Sequence, residues 1–422
     1  MAGAFRFLRN VIFILLIFAI LFSYAMFQGG FTSWFLFYSF LPIFLYIVGI
    51  SFYPISNWKV ERKMKKHVVA TGDRVTVTIQ IRRKIPFPIY YAIIEEAFPE
   101  SLNRMDLRQA KYQYLEQPNK LYNNREVKKI IFPWFKRNFS ITYHLNQLPR
   151  GNHILSAVRV RTGDIFGLVK KEHFFSLHNE LVVYPVERSL RLVEKMNSYE
   201  QGSISTYATN LKNTNVATGV REYMPGDKFS WIDWKQTAKK NDVMTKEFEQ
   251  EKSTDTLVIL NSCYHNGINL LAYEAAVELS ISLMEVIRKQ SSQVGFLSIG
   301  EDTVSFPVKH DPSKMEWIRK HLTQVQPSKN YIFSRKLKEE TKKLHNSYYV
   351  VILTTHLDDE LKESLQHVRL REKKMLILFI QAENRISAEE YRIIHSLRNE
   401  GVGISILTEK ELVTDPIEVN TL

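Results

Sequence analysis

Hydrophobic and polar positions change rhythm three times along the chain. Between Arg9 and Lys59 there is no Asp, Glu, Lys or Arg. That run holds two apolar stretches, about residues 11–27 and 31–53, separated by Gln28-Gly29-Gly30. Each stretch is long enough to cross a hydrocarbon core of about 30 Å at about 1.5 Å of helical rise per residue. The paired glycines predict a tight turn, so residues 1–58 read as a transmembrane hairpin. Tyr24, Phe27, Trp34, Tyr53 and Trp58 flank the stretches, where aromatic rings are expected at headgroup level.

From residue 67 to residue 186 the rhythm shortens to two. After the turn at Thr71-Gly72-Asp73, Val75, Val77, Ile79 and Ile81 alternate with polar residues, the pattern of a half-buried strand. Similar runs recur at Tyr90–Ile94, Lys128–Phe132, Phe139–Leu145, Ile154–Val160 and Leu181–Tyr184, with Pro86, Pro88, Pro149-Arg150-Gly151 and Thr162-Gly163-Asp164 between them. Short strands punctuated by turns predict an all-β sandwich of immunoglobulin-like size, with a barrel as the alternative. Residues 187–253 form a polar connector.

From residue 254 to residue 422, strands alternate with helices. Continuous apolar runs at Thr256–Leu260, Val294–Ile299, Tyr348–Leu353, Met375–Ile380 and Gly403–Leu407 suit strands buried on both faces. A further short strand is expected at Thr303–Val308. Leu271, Ala275, Leu279 and Leu283 recur at helical spacing, and further helices are expected at Ser313–Val325, Arg335–Asn346, Asp358–Arg371 and Ala388–Asn399. This order predicts a doubly wound, mostly parallel α/β sheet with ligand positions beyond the carboxyl ends of its strands.

Charge sets an expected orientation. Arg6 and Arg9 precede the first apolar run, and Lys59, Arg62, Lys63, Lys65 and Lys66 make residues 59–66 a basic juxtamembrane segment. Cations gather on the cytoplasmic side, so a multi-pass cell-membrane protein with cytoplasmic soluble domains is expected. The competing reading is a signal peptide cleaved after Ala25; the basic cluster keeps the remainder cytoplasmic under either. A net charge of +13 calls for an anionic partner, and beside two spans this is membrane lipid rather than nucleic acid. The single cysteine, Cys263, precludes an intramolecular disulfide and fits a reducing compartment. A transporter is disfavoured because the spans hold no ionisable side chain of the kind that marks a substrate pathway.

Residues 221–249 carry the densest chemistry: Arg221-Glu222-Tyr223, Pro225-Gly226-Asp227, Ile232-Asp233-Trp234-Lys235 and Lys246-Glu247-Phe248. Met224 to Asp227 reads as a turn, with Asp227 free to cap a helix over Lys228–Lys240, and Val243–Phe248 as a strand. One reading makes this a bracket between domains, its tryptophans packed and its charges paired. The other makes it a partner-binding surface. The segment resembles the signature of the bacterial family catalogued as domain of unknown function 58, and the likeness extends weakly to Arg150-Gly151, residues 163–168 and Val183-Tyr184-Pro185. The resemblance implies a membrane-anchored chain with a β-rich domain ahead of a von Willebrand factor A-like domain. It also implies, as partner class, a MoxR-type AAA+ ATPase or a neighbouring membrane protein such as a transglutaminase-like one. It supplies no enzymatic activity.

Von Willebrand A domains often hold a divalent cation through Asp-x-Ser-x-Ser after their first strand, and hard cations need oxygen ligands. The matching positions here are Asn261, Cys263 and His265, with Thr354-Thr355-His356 after a later strand. The carboxylate has become an amide, so a degenerate site and no cofactor are expected. Two sharper alternatives are a zinc site from Asn261, Cys263, His265 and His356, or a Cys263 nucleophile activated by His265 or His356. The expectation is a non-enzymatic, membrane-anchored scaffold or adaptor. The runner-up is a non-catalytic regulatory subunit of a transglutaminase-like enzyme.

Overall fold

A computed structural model describes residues 2–193, 217–224, 227, 229–240, 242–248, 255–289, 293–306, 312–329, 332–343, 348–371 and 374–420. The chain divides into two compact units, one of Met1–Arg108 with Asn119–Pro185, the other of Gln109–Pro118 with Val186–Leu422.

The first unit opens with helices α1 (Ala2–Gln28) and α2 (Phe31–Phe52). They reverse at Gly29, whose φ of +62° suits a residue without Cβ. They pack through Phe18, whose ring lies 5.5 Å from Phe37 and 5.2 Å from Phe44. α2 is long and apolar enough to cross a membrane, whereas the apolar helix Ile12–Gln28 is shorter.

The strands that follow are β1 (Lys59–Met64), β2 (Val68–Ala70), β3 (Val75–Arg82), β4 (Tyr91–Ala97), β5 (Val127–Ile131), β6 (Asn138–Leu145), β7 (Gly151–Gly163) and β8 (Lys170–Tyr184). They form a sheet of order β1-β3-β6 and another of order β2-β8-β7-β4-β5. One core fills between them, including Val75, Val77, Ile79 and Ile81 from one sheet and Ala92, Ile94, Val158, Val160, Leu181 and Val183 from the other. The alternation expected for Val75 to Ile81 is present.

Two expectations about the membrane boundary change here. Residues 59–64 of the basic juxtamembrane segment are not a run of free cations but strand β1, with Val60, Arg62 and Met64 turned inward. Arg62, 6% exposed, pairs with Glu96 and donates to the carbonyls of Leu155 and Leu177, both at 2.9 Å. Tyr143 donates to the other Glu96 oxygen at 2.9 Å. Period-two alternation, read across the basic cluster, explains this: only Lys59 and Lys63 of the strand's cations face out. Nor do Tyr53 and Trp58 serve as headgroup anchors. Trp58 is 4% exposed, lies in the β core with Tyr53, and donates from Nε1 to the Tyr53 hydroxyl at 3.2 Å.

The second unit contains β9 (Leu190–Val193), β10 (Ala217–Glu222), α3 (Trp234–Lys240), β11 (Met244–Phe248), β12 (Thr256–Asn261), α4 (Leu270–Lys289), β13 (Val294–Ile299), β14 (Val304–Phe306), α5 (Pro312–Gln324), α6 (Phe333–Lys343), β15 (Tyr349–Thr354), α7 (Asp359–Arg371), β16 (Lys374–Ile380), α8 (Ala388–Asn399), β17 (Gly403–Leu407), α9 (Glu409–Val413) and β18 (Ile417–Asn420). Six strands form one sheet of order β14-β13-β12-β15-β16-β17, parallel except at the β13–β14 pair. Leu257, Ile259, Val350, Ile352, Ile377 and Phe379 point to the face covered by α6, α7 and α8. The alternate residues Val258, Leu260, Val351, Leu353, Leu376 and Leu378 are equally buried on the other face, where α4 packs.

The stretch read as a connector is partly structured. β9 pairs in parallel with β18, and β10 pairs with β11 as an antiparallel ribbon. Residues 109–118, taken as part of the β domain from sequence, belong to the second unit. There Lys111 and Tyr112 meet Glu278 of α4, the tyrosine donating at 2.6 Å, and Asn269 donates to the Leu115 carbonyl at 2.7 Å. Alternating hydrophobicity gives no warning of an insertion whose anchors are a lysine, a tyrosine and backbone.

Candidate functional site

Two features of the second unit concentrate functional chemistry: the β10–β11 ribbon and the carboxyl ends of β12 and β15.

In the ribbon, Arg221 stands opposite Thr245 and reaches forward to Asp227 with both terminal nitrogens, at 2.9 and 2.8 Å. Such a bidentate fork fixes geometry as well as charge. The same carboxylate accepts from the Met224 backbone at 3.0 Å, and hydrogen bonding from Arg221, then from Met224, holds Asp227 below the usual carboxylate range. Asp227 therefore closes a turn instead of capping a helix. The cap is Asp233, which accepts from the backbone of Lys235 and Gln236, both at 3.1 Å, and so starts α3. The expected helix over Lys228–Lys240 is shorter: a 3-10 turn at Phe229–Trp231, then α3. Ile232 and Met244 are buried beneath it, and Thr237 clasps the two limbs by accepting from the Met244 backbone at 3.0 Å.

What the ribbon leaves outside is its most informative feature. Trp234, read from sequence as a packing residue, is 70% exposed, and Phe229 is 79% exposed, with Met224 also at the surface. Lys235, Lys239, Lys240 and Glu222 are exposed, while Tyr223 and Lys246 are half-buried. Tyr223 sits 6.4 Å ring to ring from Phe229. Pro225, Gly226 and Lys228 lie outside the described residues, as does the side chain of Glu247.

At the sheet's carboxyl edge, Asn261 ends β12 and Thr354 ends the neighbouring β15. Asn261 donates to the Thr354 hydroxyl at 3.0 Å, and its own oxygen accepts from the Cys263 backbone at 3.0 Å. The amide thus ties two strand ends together where a metal-binding carboxylate was the comparison. Cys263 is buried, burial pushes its thiol up to about 11, and it donates to the Ile299 carbonyl at 3.6 Å. A protonated, inward-facing thiol is a poor nucleophile.

Above it, His265 and His356 stack with centroids 4.5 Å apart and planes 19° from parallel. His265 spends its nitrogens on the Asn266 carbonyl at 3.2 Å and the Thr355 hydroxyl at 3.3 Å. His356 Nδ1 meets Glu390 at 2.9 Å. The hydrogen bond to Glu390 raises His356 above the ordinary imidazole value; burial, then the neighbouring His356, lowers His265. Burial opposes ionisation of Glu390, but hydrogen bonds from His356 and Ser387 outweigh it and the carboxylate ends below its usual value. Of the two rings, His356 is therefore the one that takes up the charging proton first as pH falls. Among the described residues no group of three or more His, Cys, Asp or Glu is placed to hold a metal ion.

Glu390 was missed from sequence because it is also the third residue of a capping box. Ser387 and Glu390 bond reciprocally at the start of α8, a role that accounts for a Glu at that spacing without any link to His356. Asp358 accepts from the Leu361 backbone at 2.7 Å and so opens α7.

Comparison with known proteins addresses the same region. The family model described as "Protein of unknown function DUF58" matches residues 219–389, which take in most of the ribbon and both stacked histidines. The uncharacterized protein YeaD of Bacillus subtilis (strain 168) is 35% identical over 313 residues, 74% of each chain. Among solved structures, the PilB minor pilin of Streptococcus sanguinis aligns over 77% of this chain and 85% of its own, at 7% identity and a TM-score of 0.30. A CARDB domain from Pyrococcus furiosus, solved with di-metal ions, aligns over 31% and 94%, at 10% identity and a TM-score of 0.19. Scores this low bear on neither fold nor site. Sequence identity over about three quarters of the chain shows the family: the chain belongs to the DUF58 family.

Proposed function

We propose that this chain is a membrane-anchored, non-enzymatic interaction module that docks a protein partner through the β10–β11 ribbon. The observation that carries the reading is the exposure of Phe229 and Trp234 on a short element whose fold is already satisfied by Ile232, Met244 and the Arg221–Asp227 fork. Exposed aromatics clustered on an ordered element are the usual anchors of a protein interface, and Lys235, Lys239 and Lys240 beside them favour an acidic partner surface. The partner class is a MoxR-type AAA+ ATPase, as the family resemblance implies.

The rest of the reading follows from this role. Both N-terminal apolar helices cross the cell membrane, and the regions that follow them face the cytoplasm, as the cations flanking both apolar runs favour. The first unit is an immunoglobulin-like sandwich and the second a von Willebrand A-like domain whose metal site has been replaced by the Asn261–Thr354 tie. Affinity capture from solubilised membranes tests the proposal: the wild-type chain should retain the ATPase, and Trp234→Ala or Lys239→Glu should release it.

A further inference from the structure

Phe87 marks where the helices of the first unit meet its loops. Its ring stacks on Tyr53 at 5.2 Å and on Tyr46 at 5.9 Å, and it leaves no room for a side chain at Gly49, where an added Cβ would fall 2.8 Å from the ring. Leu168 and Val169 join the same apolar cluster as Ile14, Phe44, Ile47 and Ile50. From Tyr46 to Tyr53 a helix rises about 10 Å, so these loops climb well up α2. That helix is about 33 Å long, close to the hydrocarbon thickness of about 30 Å. A loop that packs beside its last two turns therefore shares the depth of those turns.

Around these contacts the loops expose Ile85, Tyr90, Trp134, Phe135, Ile165 and Phe166, with Phe135 62% and Phe166 60% exposed. The loops are held firmly. Ile89 and Trp134 exchange backbone hydrogen bonds at 3.2 and 2.9 Å, and the Tyr53 hydroxyl donates to the Ile85 carbonyl at 2.8 Å. Buried Arg83 donates to the carbonyls of Phe87 at 3.0 Å, of Trp134 at 2.9 Å, and of Lys136. Asp164 accepts from the backbone of Phe166 at 2.9 Å and of Val169. Residues 82–90 and 132–138 carry cations and no carboxylate, and Lys84, Lys136 and Arg137 are exposed. A rigid apolar patch rimmed by cations is ill suited to water. It matches an anionic bilayer surface, where aromatic rings sit at headgroup level and cations meet phosphate.

We infer that these loops form a membrane-embedded collar: the β unit docks on an anionic phospholipid surface beside α2, inserting Ile85, Trp134, Phe135 and Phe166 at headgroup depth. The inference rests on the reading of α2 as a membrane span, and the test separates the two. Cys263 is the single cysteine, so Cys263→Ser gives a background for one nitroxide label at a time. Labels go on Phe135→Cys and Phe166→Cys, on Leu45→Cys in the C-terminal half of α2, and on Leu370→Cys as an aqueous reference. The full chain is placed in nanodiscs of phosphatidylcholine and phosphatidylglycerol, and collision with oxygen and with a water-soluble nickel chelate is measured. The expected result is Leu45 deep in lipid, Phe135 and Phe166 at shallow interfacial depth, and Leu370 in water. Phe135 and Phe166 labels in water, with Leu45 in lipid, would overturn the collar while leaving the span intact. Shielding of both loop labels from both reagents would assign the patch to a protein contact and also overturn it. A Leu45 label in water would overturn the span, and the collar with it.

Discussion

His265 and His356 lie face to face, 4.5 Å between ring centroids, and only His356 has a carboxylate against it. Glu390 sits 2.9 Å from His356 Nδ1, so the two rings titrate apart although they share one environment. The sign follows from the directions of the shifts. His356 is raised by its bond to Glu390; its contribution to stability is full below about pH 6.5, the unfolded value. That contribution is lost as pH rises through the folded value. His265 is lowered, by burial first, so it opposes stability as pH falls below about 6.5. Glu390 ends lowered; its contribution is present above about pH 4.3 and lost as pH falls through its folded value. Glu390→Gln should therefore bring the His356 pKa down and leave the fold in place. Histidine ring NMR titration checks it, and an unmoved His356 would remove Glu390 from the account.

Asn261 should deny the sheet edge a hard cation. The carboxylate that such a site needs is an amide already committed to Thr354 and to the Cys263 backbone, so Mg²⁺ and Mn²⁺ should bind weakly if at all. Calorimetry with the full chain measures this. A stoichiometric site of micromolar affinity or better would contradict it.

The Arg62–Glu96 pair should matter more for stability than its position in a basic cluster suggests. Both side chains are fully buried, and Glu96→Ala strands a guanidinium in the core. Breaking a buried pair on one side costs about 3–5 kcal/mol, against total stabilities of about 5–15 kcal/mol. Thermal unfolding of the solubilised chain should shift down clearly. A melting curve that does not move would show that the carbonyls of Leu155 and Leu177 hold Arg62 without the ion pair, and would contradict its weight in stability.

Reporter fusions placed after Lys66 should behave as cytoplasmic, since cations flank both apolar runs. Efficient export of such a fusion would reverse the proposed orientation.

Much of the architecture was legible because it rests on periodicity. Helix α8, expected at Ala388–Asn399, is found at Ala388–Asn399, and the apolar strands of the second sheet lie within a residue or two of their expected bounds. Burial of single residues was not legible in the same way. Arg62 looked like a lipid-facing cation, and only its alternation with Val60 and Met64 hinted that it turns inward. Trp234 looked like core because tryptophan usually is, but the ribbon is too thin to bury it. At the sheet edge, Asn261, Cys263, His265 and His356 were all named from sequence. The contact that differentiates the two histidines comes from Glu390, far along the chain, and no spacing rule reaches it.

Trp234 gives the most direct test of the proposed function. Because it is 70% exposed and makes no part of the ribbon's own closure, Trp234→Ala should change stability by no more than about 0.5 kcal/mol, as surface substitutions usually do. The same change should remove an interface anchor, typically about 2 kcal/mol or more, hence a fall in affinity of roughly thirtyfold. The decisive measurement is paired: thermal melting of the Trp234→Ala chain, and its capture of the MoxR-type ATPase from solubilised membranes beside wild type. An unchanged melting temperature with capture lost is the result expected. Capture retained at the wild-type level by a normally folded Trp234→Ala chain would contradict the docking role.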